Sequence, residues 1–247
     1  MSAVVDVDLD VRGDTPPGAD PDALSPTLRR YHKLLWGRPL ASGHSFDLDD
    51  TGPMRGRYLV HSSDLGEFEL SSDSVIPTFT RWKRMEPIIS QFSEEENEAF
   101  RTVGYTIGGM MLWPRRSAGG VRSINQERGF NHKIADRMDL TLECVRRHYV
   151  GPPSPMSAVL EANKDFFDLF GEFEGFVNHF LLQDLVSADG RSVEFFMPFD
   201  DFTGPAIPGD VETYRAYRDK SIAFIRARNQ RILDLAAQLS GREGAVS

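Results

Sequence analysis

The sequence predicts a single α+β domain, in which a mainly antiparallel sheet from the first half of the chain packs against helices from the second half. Short β-branched and aromatic runs separated by turn residues fill residues about 55–115, and helical periodicity takes over from about residue 126. A chain of 247 residues with 17 phenylalanines can bury one sizeable core. We expect residues 1–25 to form an extended arm, residues 26–241 the domain and residues 242–247 a flexible tail.

The first half contains one predicted helix followed by a strand-rich region. Ser25-Pro26 is a favourable helix start, and PTLRRYHKLLW then repeats apolar residues at helical spacing. A short acidic helix is predicted for SEEENEAFRTV. The predicted strands are GRYLVHSS, GEFELSSDS, VIPTFTRW and GYTIGGMMLWP.

The second half is predicted to be mainly helical. Apolar spacing indicates a helix over residues 131–149, and the Phe-rich region from Phe166 to Leu185 is expected to form the core. A brief strand is predicted for DGRSVEFFMPF, and Gly241 is expected to end the terminal helix. The predicted later helices are SPMSAVLEANKDFFDLFGEF, EGFVNHFLLQDLV and DVETYRAYRDKSIAFIRARNQRILDLAAQLSG.

Composition excludes several classes of protein. A net charge of −9 disfavours sequence-independent nucleic-acid binding, because the chain repels a phosphate backbone on average. The single cysteine, Cys144, excludes an internal disulfide and an all-cysteine metal site, and it is expected to be a packed apolar residue. The sequence has no signal peptide and no apolar run long enough to cross a bilayer, so we expect a cytoplasmic protein without a membrane partner.

Several stretches of the chain together resemble one family of bacterial and phage proteins, known only as a domain of unknown function. They are DTPPGADPDALSPTLRRYHKLLWGRPL, LGEFELSSDS, GYTIGGMMLWP, RGFNHKIADRMDLTLECVRRHY, FVNHFLLQDLV and FIRARNQRI. The resemblance covers the chain from about Asp14 to Ile232. It implies a single-domain bacterial or phage protein, and it brings no catalytic residues with it.

The predicted helix over residues 131–149 carries charged residues opposite its apolar stripe. Asp136, Asp139 and Glu143 fall together there with Arg146 and Arg147. This face is either a salt-bridged solvated surface or the wall of a site in which Glu143 and Asp139 are catalytic candidates. The acids are hard oxygen ligands, so such a wall could also face a metal, but their spacing matches no metal motif. No metal ligand is assigned, and the sequence does not identify a cofactor.

The segment just before that helix is a candidate anion site. SINQERGFNH places Asn125, Arg128 and His132 around Gly129 at the expected helix entrance. Helix N-termini favour anions, and an arginine beside one can clamp a phosphate. The alternative is an ordinary loop in which Asn131 caps the helix.

Two arginines of the terminal helix lie on or beside its apolar stripe. Arg218 and Arg228 either form buried ion pairs or face an anionic ligand, because buried arginine requires a partner. We predict that one of them pairs with an acid of the helix over residues 131–149. The two helices would then face each other across a polar cleft, with Arg128 and His132 at its mouth.

His61 in the predicted strand YLVHSS is the remaining catalytic candidate. Ser62 and Ser63 lie beside it, as a general base would require, although a lone strand histidine is also typical of a hydrogen-bonded structural residue.

These candidates predict a protein that binds or acts on a phosphate-bearing small molecule, such as a nucleotide, through a cleft lined by Arg, Asp and Glu. The sequence does not decide whether it is an enzyme. The alternative is a non-catalytic interaction protein of bacteria or phages, including one linked to phage defence. The ligand-binding candidates are Asn125, Arg128, His132, Asp136, Arg146, Arg218 and Arg228.

Overall fold

The computed structural model describes residues 5–50, 58–115 and 122–245. Its sheet has three antiparallel strands in the order β1-β2-β3: β1 Leu59–Ser63, β2 Gly66–Ser74 and β3 Met110–Pro114. The helices of the first half are α1 Pro21–Leu24, α2 Pro26–Trp36, α3 Glu86–Ile89 and α4 Glu94–Gly104. Those of the second half are α5 Ile124–Phe130, α6 Met138–Val150, α7 Ser157–Ala162, α8 Lys164–Asp168, α9 Phe173–His179 and α10 Val211–Ala245.

The sheet confirms the predicted α+β class. β2 is the central strand, and its Leu70 lies opposite Leu59 of β1 and Pro114 of β3. All five residues of β3 are buried, as expected for a strand covered on both faces. Helices of the second half, together with α2 and α4, surround this small sheet and share one core with it.

The Phe-rich region forms the centre of the core, as predicted. Phe166, Phe167 and Phe176 are at most 1% exposed. Phe170 packs edge-on against Phe176, with ring centroids 5.4 Å apart, a geometry that aromatic pairs favour. These rings lie on α8, on α9 and on the link between them, and three short helices, α7 to α9, stand in place of the two longer ones expected.

The N-terminal segment is built into the fold. Its residues include a 3-10 helix, Val11–Asp14, and the short helix α1. Val11 is fully buried and its N–H donates to the carbonyl of Tyr105 at 3.0 Å. The carbonyl of Val7 accepts from Asn229 Nδ2 at 3.1 Å. The predicted extended arm is therefore wrong for residues 5–25.

Two predicted strands are absent from the described part of the chain. VIPTFTRW follows the end of β2, but Pro77 has no N–H for a ladder and Phe79 has a positive φ of 60°. In DGRSVEFFMPF, one isolated bridge joins Val193 to Val186. The first residues of GRYLVHSS lie outside the described residues.

The helix expected over residues 131–149 begins only at Met138. Ala135 and Asp136 have φ values of 48° and 67°, which a continuous right-handed helix does not allow. The chain therefore forms α5, then a turn, then α6, and Asn131 ends α5 instead of starting a helix. Gly241 lies inside α10, which continues to Ala245; residues 246–247 of the predicted tail lie outside the described residues.

No helix in the described segments is both long enough and apolar enough to cross a membrane.

Candidate functional site

A cleft of about 230 Å³ lies where α1, the end of β2, segment 75–81 and the end of α4 meet. Three carboxylates from distant parts of the sequence line it, together with two arginines. These residues are Asp22, Asp73, Asp136, Arg81 and Arg101.

Asp22 is held toward the cleft by the capping of a very short helix. The carboxylate of Asp20 accepts from the Asp22 N–H at 3.3 Å, and Pro21 starts α1 with its fixed φ. Ser25 both ends α1 and caps α2, where its Oγ accepts from the Leu28 N–H at 3.1 Å. The abrupt change of direction at Ser25 lets α1 pack against β2.

The Asp22 carboxyl group is poorly satisfied. Its Oδ1 atom is buried and has no hydrogen-bond partner among the described residues. Burial raises the pKa of Asp22 to about 7, and the nearby charge of Asp20 acts in the same direction. At neutral pH the group is thus divided between its protonated and ionised forms.

Asp73, on β2, lies next to Asp22 and is paired with Arg128. Arg128 has no solvent exposure, and its guanidinium donates to Asp73 Oδ2 and to the Ser74 carbonyl at 2.9 Å. Burial raises the pKa of Asp73 well above its usual range. Arg128 opposes that rise, whereas Asp136 and Asp22 add to it.

Asp136 is placed by a strained turn that wraps around Arg128. The Asp136 N–H donates to the Arg128 carbonyl at 2.9 Å, and Arg128 Nη2 donates to the Asp136 carbonyl at 3.0 Å. The positive φ values of Ala135 and Asp136 are uncommon for such residues and cluster at functional sites. Phe79, across the cleft, is a third case.

The Asp136 carboxylate is only partly neutralised. Its Oδ2 accepts from Arg81 Nη2 at 2.8 Å, whereas its Oδ1 is buried, accepts no hydrogen bond from a described residue and lies 3.6 Å from Arg128 Nη2. Arg101, on α4, is already paired with Glu94 and Glu98. The cleft therefore presents two carboxylate oxygens that lack donors.

This arrangement suits proton transfer and hydrogen bonding. Burial raises the pKa of both Asp22 and Asp73, and carboxyl groups perturbed in this way are candidates for acid–base chemistry. Across residues 5–50, 58–115 and 122–245, no group of three or more His, Cys, Asp or Glu side chains could hold a metal ion. The three carboxylates of the cleft are thus not arranged to coordinate a metal ion.

The predicted pairing of Arg218 or Arg228 with the acids of residues 136–143 is wrong. Arg218 lies 3.3 Å from Glu96 and 3.3 Å from Asp219. Arg228 donates to backbone carbonyls. No residue of α10 is among those that line this cleft, and α10 packs instead on α2, α3, α4 and the 3-10 helix Ile107–Gly109.

The acids of α6 are buried, as expected if the charged face of this helix points inward. They are not among the residues that line the cleft around Asp22. Asp139 is fully buried and pairs with Arg137, and its Oδ2 also accepts from the Phe196 N–H at 2.9 Å. Glu143 pairs with Arg146 and Arg147, each at 2.7 Å, as the i+3 and i+4 spacing predicted. These pairs hold the pKa of Glu143 below its usual range although burial opposes them.

The remaining candidates are dispersed. His61 is buried, with Nδ1 2.8 Å from the Asp47 carbonyl and Nε2 2.7 Å from Ser63 Oγ, which fits the structural interpretation. Asn125 donates to Ser71 Oγ at 3.0 Å beneath the cleft, and His132 is exposed. Cys144 is buried, and burial raises its pKa to about 12.

Sequence reasoning identified Arg128 and Asp136 but missed the other residues of this cleft. Of the two aspartates around Pro21, Asp20 caps α1, whereas Asp22 lines the cleft. One signal was present for Asp73, because aspartate is depleted in strands and its occurrence in GEFELSSDS requires a reason. No signal marked Arg81 or Arg101.

Comparison with known proteins gives one match. A family model described as "Family of unknown function (DUF6994)" matches residues 5–232. No curated protein and no solved structure matches the chain.

Proposed function

Because the chain belongs to DUF6994, a family of unknown function, we propose a function from geometry alone: the cleft binds a small organic molecule and exchanges a proton with it through Asp22. One observation carries this proposal. Asp22 lines the cleft, and its Oδ1 is buried and has no donor among the described residues. A buried acceptor without a donor is costly, so a ligand that supplies one is bound favourably.

The acid–base role rests on the environment of Asp22. A pKa of about 7 lets the group donate or accept a proton near neutral pH, where general acid–base catalysis is most efficient. In this proposal Asp22 exchanges the proton and Asp136 binds the ligand. Burial, with the charges of Asp20 and Asp136, keeps Asp22 partly protonated, and Arg128 fixes Asp73 in position.

The phosphate-bearing ligand expected from the sequence is less well supported than a ligand that donates hydrogen bonds. Arg128 and Arg228 are fully buried on internal partners, and Arg146 is paired with Glu143. A phosphate in this cleft would lie against three carboxyl groups, and it would be repelled by those that are ionised.

The interaction-protein alternative, with or without a link to phage defence, lacks its expected surface. It requires an exposed apolar patch. The large apolar side chains exposed in the described segments are Phe130, Val150 and Leu233, which lie on three different helices.

The proposal is tested by following the ionisation of Asp22 directly. Carboxyl ¹³C NMR of the full chain should give a midpoint near pH 7 for a signal that Asp22→Asn removes. The folded pKa is raised, so its contribution to stability is present below about pH 4 and is lost as the pH rises to about 7. The unfolding free energy of Asp22→Asn should therefore lack this decline between about pH 4 and about pH 7.

Binding is tested in the same proteins by a thermal-shift screen of small amines, guanidines, polyols and phosphates. A ligand of the cleft should raise the melting temperature of the wild type and of Asp8→Asn, but not that of Asp22→Asn. Asp8→Asn is the matched control, because it removes an exposed carboxylate that lies outside the cleft. A titration midpoint near pH 4 for Asp22 would refute the proposal. So would ligands that raise the melting temperature of Asp22→Asn as much as that of the wild type.

A further inference from the structure

The charges around the cleft define the chemistry that is missing from it. Every nitrogen of the Arg128 guanidinium already donates a hydrogen bond. Nε donates to Thr141 Oγ1 at 3.2 Å, Nη1 to Asp73, and Nη2 to the carbonyls of Ser74 and Asp136. Arg101 is held by two glutamates of its own helix. What remains is a pair of buried carboxylate oxygens, Asp22 Oδ1 and Asp136 Oδ1, without hydrogen-bond donors in the described part of the chain.

Arg81 already supplies a cation to this site, but it holds the site loosely. Its guanidinium lies 2.8 Å from Asp136 Oδ2, while its side chain is 62% exposed. Exposed ion pairs contribute little and exchange readily with solvent. The two bare oxygens are buried, so a ligand reaches them only after a side chain at the mouth moves. Arg81 is the exposed, weakly held side chain that can do so.

We propose that the ligand of the cleft is an organic cation, an ammonium or guanidinium compound, which displaces Arg81 from Asp136 and donates hydrogen bonds to Asp22. This inference rests on the proposed function of the cleft. An ammonium group has three donors and a guanidinium five, enough for both bare oxygens. A bare metal ion is disfavoured because the carboxylates have no metal-binding arrangement within the described residues. Arg81 is thus an internal competitor of the ligand.

Binding of a cation should be linked to proton release. A positive ligand favours the ionised form of Asp22, so its affinity should rise between pH 6 and pH 8. The charged and titratable groups that face Asp22 are on separate elements, and the protons released belong to this group of residues as a whole. They are Asp20, Asp73, Asp136, Arg128, Tyr105, Arg81 and Arg101.

The test uses the full chain and four probes at equal ionic strength: ethylguanidinium chloride, n-propylammonium chloride, sodium phosphate and ethylene glycol. Binding is followed by the ¹⁵N–¹H signal of Ser74, whose N–H interacts with both Asp22 and Asp73. In Arg81→Gln the Kd of a cation should fall by about fivefold, because a competing exposed ion pair is removed. Arg84→Gln removes the same charge from an exposed arginine outside the cleft and should leave Kd unchanged.

The sign of the Arg81→Gln effect decides between ligand classes. Weaker cation binding in Arg81→Gln, or phosphate binding that depends on Arg81, would overturn the inference. If glycol or phosphate shifts Ser74 in an Asp22-dependent way and neither cation does, the inference fails but the proposed function stands. If no probe binds to the wild type or to Arg81→Gln, both fail. Because Arg81 is exposed, we expect Arg81→Gln to fold with the core unchanged.

Discussion

Arg228 is a buried cation whose partners are backbone carbonyl oxygens. It donates to the carbonyls of Gly108 at 2.9 Å, Met110 at 2.7 Å and Phe180 at 3.1 Å, and it forms no ion pair with a carboxylate of the described residues. Burial lowers its pKa to about 9. The side chain therefore joins α10 to the start of β3 and to the end of α9, and its rigid planar fork is what allows three carbonyls to be met at once.

Loss of this fork should be among the most destabilising single changes in the chain. Arg228→Met keeps an apolar stem of similar length but leaves three buried carbonyls without donors, so we expect a cost of about 3–5 kcal/mol. Arg228→Lys should recover only part of it, because one ammonium cannot reproduce the geometry. Urea unfolding measures both. The control Arg226→Met lies on the exposed face of the same helix and should stay within about 0.5 kcal/mol.

The burial of Arg228 could be read from the sequence, but its partners could not. Helical periodicity places residue 228 on the inner stripe of α10, and a buried arginine then requires acceptors. Carboxylates are visible in a sequence as Asp or Glu, so they were the expected partners. Carbonyl acceptors belong to every residue, and only the folded chain selects those of Gly108, Met110 and Phe180.

At the scale of elements, α10 crosses the junction between α4 and β3 at very short range. The Gly108 N–H donates to Asn229 Oδ1 at 2.8 Å. A Cβ atom at residue 108 would lie 2.3 Å from that same oxygen and 2.8 Å from the Ile225 carbonyl. Gly108 of GYTIGGMMLWP is therefore the point at which α10 meets the turn that leads into β3, and a close backbone approach of this kind requires glycine.

Gly108→Ala should separate these elements. The methyl group has no space beside α10, so we expect a loss of about 1–3 kcal/mol and a lower melting temperature. Gly104→Ala is the matched control at the buried end of α4. A Cβ there would meet only Ile76 Cδ1, at an ordinary 3.7 Å, and alanine favours the helix. Equal losses in the two variants would show that the contact with α10 is not the reason.

Periodicity predicted the regular elements and failed where single residues adopt unusual backbone angles. The strand VIPTFTRW has the right composition, yet Phe79 turns the chain away after β2. The helix over residues 131–149 has the right spacing, yet the turn at Ala135 and Asp136 interrupts it. In that turn the backbone strain is offset by hydrogen bonds to Arg128, a tertiary effect that local sequence patterns do not encode.

For the whole molecule, two buried histidines make folding sensitive to acid. Burial lowers the pKa of His32 and of His179 to about 3. His32 Nδ1 accepts from Trp36 Nε1 at 2.9 Å, so its Nε2 carries the proton and donates to Ser72 Oγ at 2.9 Å. His179 is packed within the aromatic cluster, where no described residue provides a partner for its Nε2. Both rings are thus neutral in the native state.

The acid limb of the stability curve should weaken when one of these histidines is removed. Because the folded pKa is depressed, the stabilisation is present above about pH 6.5 and is lost as the pH falls toward 3. His179→Gln should reduce the slope of unfolding free energy against pH in that window by about 1.4 kcal/mol per pH unit. The exposed His132→Gln should leave the slope unchanged. The slope is the readout, since loss of packing alters only the absolute value.

The fold class followed from the sequence because it depends on local patterns that are repeated along each half. The cleft did not follow, because it depends on where three distant segments meet. Asp22, Asp73 and Asp136 are brought together by a four-residue helix, the end of a strand and a left-handed turn. The family match over residues 5–232 assigns no role to any residue, so it does not identify the cleft either.

The hydrogen bond from Asn229 to the Val7 carbonyl joins residues 222 positions apart. A ribosome adding about 5–20 residues per second needs roughly 10–45 s to pass from one to the other. During that interval the segment that carries Asp22 has left the ribosome without its final anchor. Such long-range pairing is slow to form, and it exposes the segment to proteases and to competing contacts until α10 arrives. The rate of synthesis therefore sets how long the N-terminal segment lacks this hydrogen bond.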